Sequence, residues 1–167
     1  MSLDRIRSGL RTLLEHVVLV LMLSLAGLVV VGVVFRKLGA SLVWYDEVAS
    51  ILLAWLTFYG AALAALHRAH IGVPTLVAKL KGPMRTVVIL IGEACILGFF
   101  GVLAWAGMRV LTVLQGTTLV SLPWVPASVA QSVIPIGALL FIVAQLLTLP
   151  KILRGQPLDE PDEEAAP

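Results

Sequence analysis

The sequence predicts an all-α integral membrane protein with four transmembrane helices. Three observations carry that prediction. Of 167 residues, 59% are hydrophobic and 13% charged, with a mean hydropathy of +1.01; a soluble domain is about half apolar and about a quarter charged. The charges cluster at the chain ends and in short connecting segments. Four apolar stretches each approach the ~20 residues that a helix needs to cross the hydrocarbon core.

Residues 1–12 read as a cytoplasmic N-terminus carrying Arg5, Arg7 and Arg11. The apolar run that follows is too long for a signal-peptide core of about 7–15 residues and lacks a small-residue cleavage site. It is therefore predicted to be a retained first span, about 13–35. Arg36 and Lys37 open a short loop. Trp44-Tyr45-Asp46-Glu47 then begins the second span, about 47–66. Carboxylates suit the positive end of a helix dipole and the cations of His67-Arg68-Ala69-His70 its negative end. Val73, Leu76, Val77 and Leu80 recur at helical spacing, with Pro74 suited to a first turn and Gly82 to an end. They predict a short amphipathic helix on the cytoplasmic face between spans two and three.

The third span, about 84–108, is interrupted only by Glu93. Residues 109–125 are uncharged beyond Arg109 but broken by Gly116-Thr117-Thr118 and Pro123; a partly buried loop and an interfacial helix are both compatible with them. The fourth span covers about 126–149, where Pro135 and Gly137 predict a kink. Residues 151–167 hold Asp159, Glu160, Asp162, Glu163 and Glu164 among prolines and alanines, the composition of a solvated, disordered cytoplasmic tail. With this division, nine lysines and arginines fall on the side of the termini and three (Arg36, Lys37, Arg109) on the other. The positive-inside rule places both termini in the cytoplasm. Trp44, Trp105 and Trp124 then fall at the outer interface, where amphipathic rings prefer to lie, and Trp55 falls mid-span.

Several function classes find no support. No basic run with interleaved aromatics points to nucleic acid. The single cysteine, Cys95, has no metal-ligand spacing. His16, His67 and His70 lie near span ends, whereas haem ligands need facing positions within a bundle. No nucleophile–base pair or phosphate loop is present, so neither an enzyme nor a cofactor is expected.

The polar residues that remain are candidates for contacts. Glu93 is the one acid deep inside a span, and intramembrane ionisable groups are functional by default. Its depth suggests a hydrogen bond to Thr57, Tyr59 or Ser24, an ion relay, or a polar group on a partner subunit. Arg36 and Glu47 or Asp46 bracket the first outer loop and can pair or snorkel separately; Asp46 can also cap the second helix. Gly60 and Ala64, with Ala61 and Ala65, form a small-residue face suited to a neighbouring helix.

Taken together, Arg36, Ser41 and Trp44-Tyr45-Asp46-Glu47, then Trp55-Leu56-Thr57-Phe58-Tyr59-Gly60-Ala61-Ala62, then His70-Ile71-Gly72-Val73 resemble the small membrane subunit (DctQ-like) of tripartite ATP-independent periplasmic transporters. Gly116-Thr117-Thr118, Leu122-Pro123-Trp124 and Ile134-Pro135-Ile136-Gly137 extend the resemblance along residues 10–150. Tyr59 and the acidic tail depart from the family pattern. The resemblance implies a bacterial inner-membrane scaffold subunit for sodium-coupled uptake of an organic acid. Its implied partners are a large elevator-type DctM-like membrane subunit, a periplasmic substrate-binding protein and membrane lipids. Arg36, Trp44, Asp46, Glu47, Trp55, Gly60, Ala64, His70, Glu93 and Trp124 are the candidate structural and partner-interface residues. The alternative is a self-sufficient oligomeric transporter or channel using Glu93.

Overall fold

The computed structural model describes residues 2–67 and 83–154. The segment expected to be an amphipathic helix, His70 and residues 155–167 of the acidic tail lie outside them. Five helices follow in order: α1 (Ser2–Lys37), α2 (Tyr45–Leu66), α3 (Pro83–Val113), α4 (Ala127–Gln131) and α5 (Val133–Arg154). Four spans, with α4 and α5 counted as one, are long and apolar enough to cross a membrane, and no strand occurs among the described residues.

α1 is longer than the apolar stretch that predicts it. It begins at Ser2 and runs 36 residues, about 54 Å, so the basic N-terminus is a continuation of the first span. Its end is a Schellman motif. Gly39 adopts φ +77°, the Gly39 amide bonds to the Arg36 carbonyl at 3.2 Å, and the Ala40 amide bonds to that of Phe35 at 3.0 Å. A residue without Cβ takes this left-handed conformation at least cost.

Trp44 occupies the N-cap position of α2 and makes no side-chain cap bond. Asp46 does not cap the helix; it lies inside the first turn with Glu47, where both carboxylates oppose the positive end of the dipole. At the other end, Arg7 Nη2 donates to the Leu66 carbonyl at 2.9 Å. An arginine from a neighbouring helix thus satisfies a terminal carbonyl.

α3 runs five residues past its predicted end at Met108. The chain then turns at Gly116 (φ +82°) into a small hairpin. Thr118 bridges antiparallel to Pro126, the Leu119 amide bonds to the Val125 carbonyl at 3.0 Å, and the Val125 amide bonds to that of Leu122 at 2.9 Å. Pro123 sits at the second position of this last turn, where its fixed φ is favourable. The loop reading of residues 109–125 therefore holds for the part beyond Val113.

The fourth span is broken at Ser132, between α4 and α5, one turn before Pro135. The proline ring has no room for a helical carbonyl four residues earlier. The break thus falls at Gln131–Ser132, and Gly137 has a separate task described next.

The four spans form a row. α1 packs on α2, α2 on α5 and α5 on α3. Glycines set the close approaches: Gly32 lies under the Tyr45 ring, Gly137 under Phe58 with 2.6 Å from a built Cβ to the Phe58 Cβ, and Gly107 against Ile134 and Pro135. A cluster of Leu14, Ala62, Ala65, Leu66, Phe141 and Ala144 joins α1, α2 and α5. Phe100 on α3 stacks on Phe141 with centroids 3.7 Å apart and planes at 8°. In the most apolar stretch of the fourth span, 44% of residues are buried, against 6% for α1 and 11% each for α2 and α3. The fourth span is therefore the most enclosed of the row, and the outer helices keep broad apolar faces that the described residues do not cover.

Candidate functional site

Two polar constellations occupy the ends of the bundle. The first is at the end opposite the termini and centres on Glu47. Its Oε1 accepts from the Val120 amide at 3.0 Å and its Oε2 from the Ser121 amide at 2.8 Å; the Ser121 hydroxyl also donates to Oε2. A carboxylate in the first turn of α2 thereby ties down a hairpin more than seventy residues away in sequence. Charge-assisted bonds of this kind are worth more than neutral ones. The tie presents Val120, 94% exposed, and Trp124, 77% exposed, away from the bundle. Trp105 lies at the same end with the Arg109 guanidinium 5.5 Å from its ring centroid, a cation–π distance.

The expected Arg36–Glu47 or Arg36–Asp46 pair does not form. Among the described residues Arg36 makes no ion pair and is exposed in the last turn of α1. Glu47 is occupied by the hairpin instead, because two backbone amides and a hydroxyl are already placed around it. Asp46 is exposed, and its carbonyl accepts from the Ser50 hydroxyl at 2.7 Å.

Glu47→Ala is expected to expose the Val120 and Ser121 amides to faster hydrogen exchange. A loss of stability is expected with it, since the hairpin loses its charge-assisted bonds. Arg36→Ala is expected to leave folded yield unchanged. Hydrogen exchange of residues 117–126 and detergent-solubilised yield check the pair; unaltered exchange in Glu47→Ala would mean that the hairpin holds itself.

The second constellation is Glu93 with Gln145. Gln145 Nε2 donates to Glu93 Oε2 at 2.7 Å, with the two residues 8% and 4% exposed. Thr148, fully buried one turn on, returns its hydroxyl to the carbonyls of Ala144 and Gln145. This corrects the expectation of a bond to Thr57, Tyr59 or Ser24. Those residues sit on α1 and α2, whereas α3 packs against α5. Thr57 bonds its own Leu53 carbonyl at 2.8 Å, and Ser24 is exposed. Ala144, next to Gln145, shares a cluster with Leu14 and Leu66, so Glu93 lies level with the end of α2 rather than with its middle.

The other predicted residues separate. Trp55 is a tie between helices: its Nε1 donates to the Ala130 carbonyl at 3.0 Å, and its ring meets Tyr59 edge-on at 6.1 Å. The α4 carbonyl that it satisfies lies next to the break before Pro135. Trp44 is half-buried. A Cβ at Gly60 would meet nothing within 4 Å among the described residues, and Ala64 is half-buried, so the small face of α2 contains a site that no described residue fills. Near the termini, Arg11 and Glu15 pair at 2.8 Å, with His67 3.6 Å from Glu15.

Sequence reasoning passed over Gln145 and Ser121. Gln145 carried a signal: it is an amide in an apolar span, which needs a partner. Ser121 carried none, since a serine before a turn is common. Among the described residues, no group of three His, Cys, Asp or Glu side chains converges to hold a metal. The arrangement offers interhelical ties.

Comparison with known proteins adds to this geometry. The family described as "Tripartite ATP-independent periplasmic transporters, DctQ component" matches residues 25–155. The C4-dicarboxylate TRAP transporter small permease protein DctQ of Rhodobacter capsulatus is 35% identical over 69 residues, 41% of this chain and 30% of that relative. The match thus spans less than a third of the relative's own length.

Proposed function

Since the chain belongs to the DctQ component family of tripartite ATP-independent periplasmic (TRAP) transporters, we propose that it is the fixed scaffold of a three-part uptake system. It is a multi-pass inner-membrane protein with four apolar helices, and the proposal concerns how it acts. Its termini face the cytoplasm. It braces a large DctM-like subunit that carries solute by an elevator movement. Its outer surface contacts a periplasmic substrate-binding protein, and sodium-driven uptake of an organic acid is the work of the assembly. The relative's name specifies a C4-dicarboxylate; for this chain the proposal stays at an organic acid.

The observation that carries the scaffold reading is the open row of spans. The fourth span is the most enclosed of the four, so the flanking helices offer broad apolar faces to lipid and to a partner. Side chains hold the row rigid at three levels: Glu47 to the hairpin, Trp55 to Ala130 and Gln145 to Glu93. A transport domain that moves needs such an anchored frame to move against.

The test is co-purification of a tagged chain with the large polytopic subunit encoded beside it. A stable one-to-one complex, with no solute movement by this chain alone in liposomes, is the expected result. A homo-oligomer that ignores that neighbour and transports by itself would overturn it. Gly60→Leu refines the test. Because a Cβ there meets nothing among the described residues, it is expected to leave the isolated fold intact while weakening co-purification. Undiminished co-purification would remove the Gly60–Ala64 face from the interface.

A further inference from the structure

We propose that Glu47 is a proton-operated latch: as a carboxylate it fastens the hairpin of residues 117–126 to α2, and as a neutral acid it lets that hairpin go. Packing holds the hairpin only in part. None of residues 117–126 is buried, and Val120 and Trp124 project from the bundle. The bonds from the Leu119 amide to the Val125 carbonyl and from the Val125 amide to that of Leu122 shape the hairpin without attaching it to α2.

The attachment comes from Glu47. Its Oε1 accepts from the Val120 amide at 3.0 Å, and its Oε2 accepts from the Ser121 amide at 2.8 Å and from the Ser121 hydroxyl. Three donors thus converge on two oxygens. An ionised carboxylate only accepts and has lone pairs for all three, whereas a neutral acid carries an O–H that must donate. The two amides cannot accept it. Protonation therefore sets a donor against donors at one oxygen and removes the charge that strengthens the bonds at the other. The Ser121 hydroxyl can turn to accept, but the amides are fixed by the hairpin backbone.

Glu47 is the titratable member of this joint. Residues 117–131 contain no ionisable side chain. Around the joint, Asp46 is exposed on α2, Tyr45 packs over Gly32, Arg36 and Lys37 end α1, and Arg109 of α3 lies over Trp105. Among the described residues none of these forms an ion pair with Glu47. The releasable segment has two limits. Gly116 turns the chain at φ +82° before it. After it, Trp55 Nε1 holds the Ala130 carbonyl at 3.0 Å, just before the break at Ser132. That second tie has no titratable partner, so α4 stays on α2 when the hairpin leaves. The latch makes the position of Val120 and Trp124 depend on the pH at this end of the bundle.

The latch is a property of this chain and does not rest on assembly with a large subunit, so the two fail separately. Hydrogen exchange of the full chain in detergent is followed by mass spectrometry at about pH 7 and about pH 3, on either side of the ordinary glutamate value of about 4.3. Rates are corrected for intrinsic exchange. In the parent, the Val120 and Ser121 amides should be protected at the higher pH and lose protection at the lower, as the carboxylate takes its proton. The Ser132 amide, bonded to the Val129 carbonyl at 3.3 Å, should stay protected at both. Glu47→Gln, the neutral isostere, should lack hairpin protection at both pH values with Ser132 still protected. Hairpin protection in Glu47→Gln equal to the parent's would overturn the latch. So would parental protection that persists at the lower pH, and that result decides even if Glu47→Gln fails to fold. Acid loss at Ser132 together with the hairpin would mean that this end of the bundle unfolds as a whole, and would overturn it as well.

Discussion

Gly107→Leu is expected to destabilise the folded chain by about 3 kcal/mol, the upper part of the range for overpacking a close contact. A Cβ at Gly107 would lie 2.9 Å from Ile134 Cγ2 and Pro135 Cδ and 3.0 Å from the Pro135 nitrogen. Ile134 has a side chain that can turn away. Pro135 has a fixed ring, and its nitrogen is backbone, so relief requires α5 to move. That movement would disturb the break at Ser132 and the Trp55 bond to Ala130. Gly101 on the same helix is the control: a Cβ there meets nothing, and Gly101→Leu is expected to change stability by less than about 1 kcal/mol, with helix propensity favouring leucine. The midpoints of detergent-to-SDS unfolding measure both. Equal shifts would mean that the α3–α5 seat is soft and that Gly107 is not what sets it.

The contrast between these two glycines shows where sequence reasoning stops. The four spans were legible because hydropathy and length are local properties, and four helices long and apolar enough to cross a membrane are present. Element ends were less so: α1 extends through its arginines and α3 past Arg109, because a helix continues beyond the apolar stretch whenever nothing breaks it. Neighbour relations were not legible. Glu93 was matched to Thr57, Tyr59 and Ser24 by depth alone, and depth has no power to choose among helices when they stand in a row instead of a closed bundle. For the same reason the sequence leaves open whether Glu47 pairs with Arg36 or stands apart, and does not point to the hairpin. Its amides are the donors, and backbone groups leave no trace in composition. The small-residue face at Gly60 was legible as a face, but the glycines that set approach within this chain are Gly32, Gly107 and Gly137.

Gln145→Leu is expected to cost more than Glu93→Gln at its partner. Gln145 is the donor that satisfies Glu93 Oε2, and Glu93 is 8% exposed. Removing the amide strands a buried carboxyl oxygen, a penalty of about 1–3 kcal/mol. Glu93→Gln keeps a hydrogen-bonding side chain of the same length and is expected to stay within about 0.6 kcal/mol of the parent, the average worth of an interhelical polar contact in a membrane protein. Replacing both residues by leucine removes the polar atoms together, so the double variant should be more stable than Gln145→Leu alone. That inversion is the signature of a structural tie: the first loss creates an unsatisfied group and the second abolishes it. The same substitutions bear on function. A scaffold needs the tie and not the acid, so Glu93→Gln should support uptake by the complete three-part system at close to the parental rate. A self-sufficient carrier using Glu93 for ion coupling needs the acid itself. Lost uptake in Glu93→Gln, with subunit assembly and stability unchanged, would move Glu93 from the frame to the transport step. An additive double variant, with uptake preserved, would leave the scaffold reading standing and remove the tie.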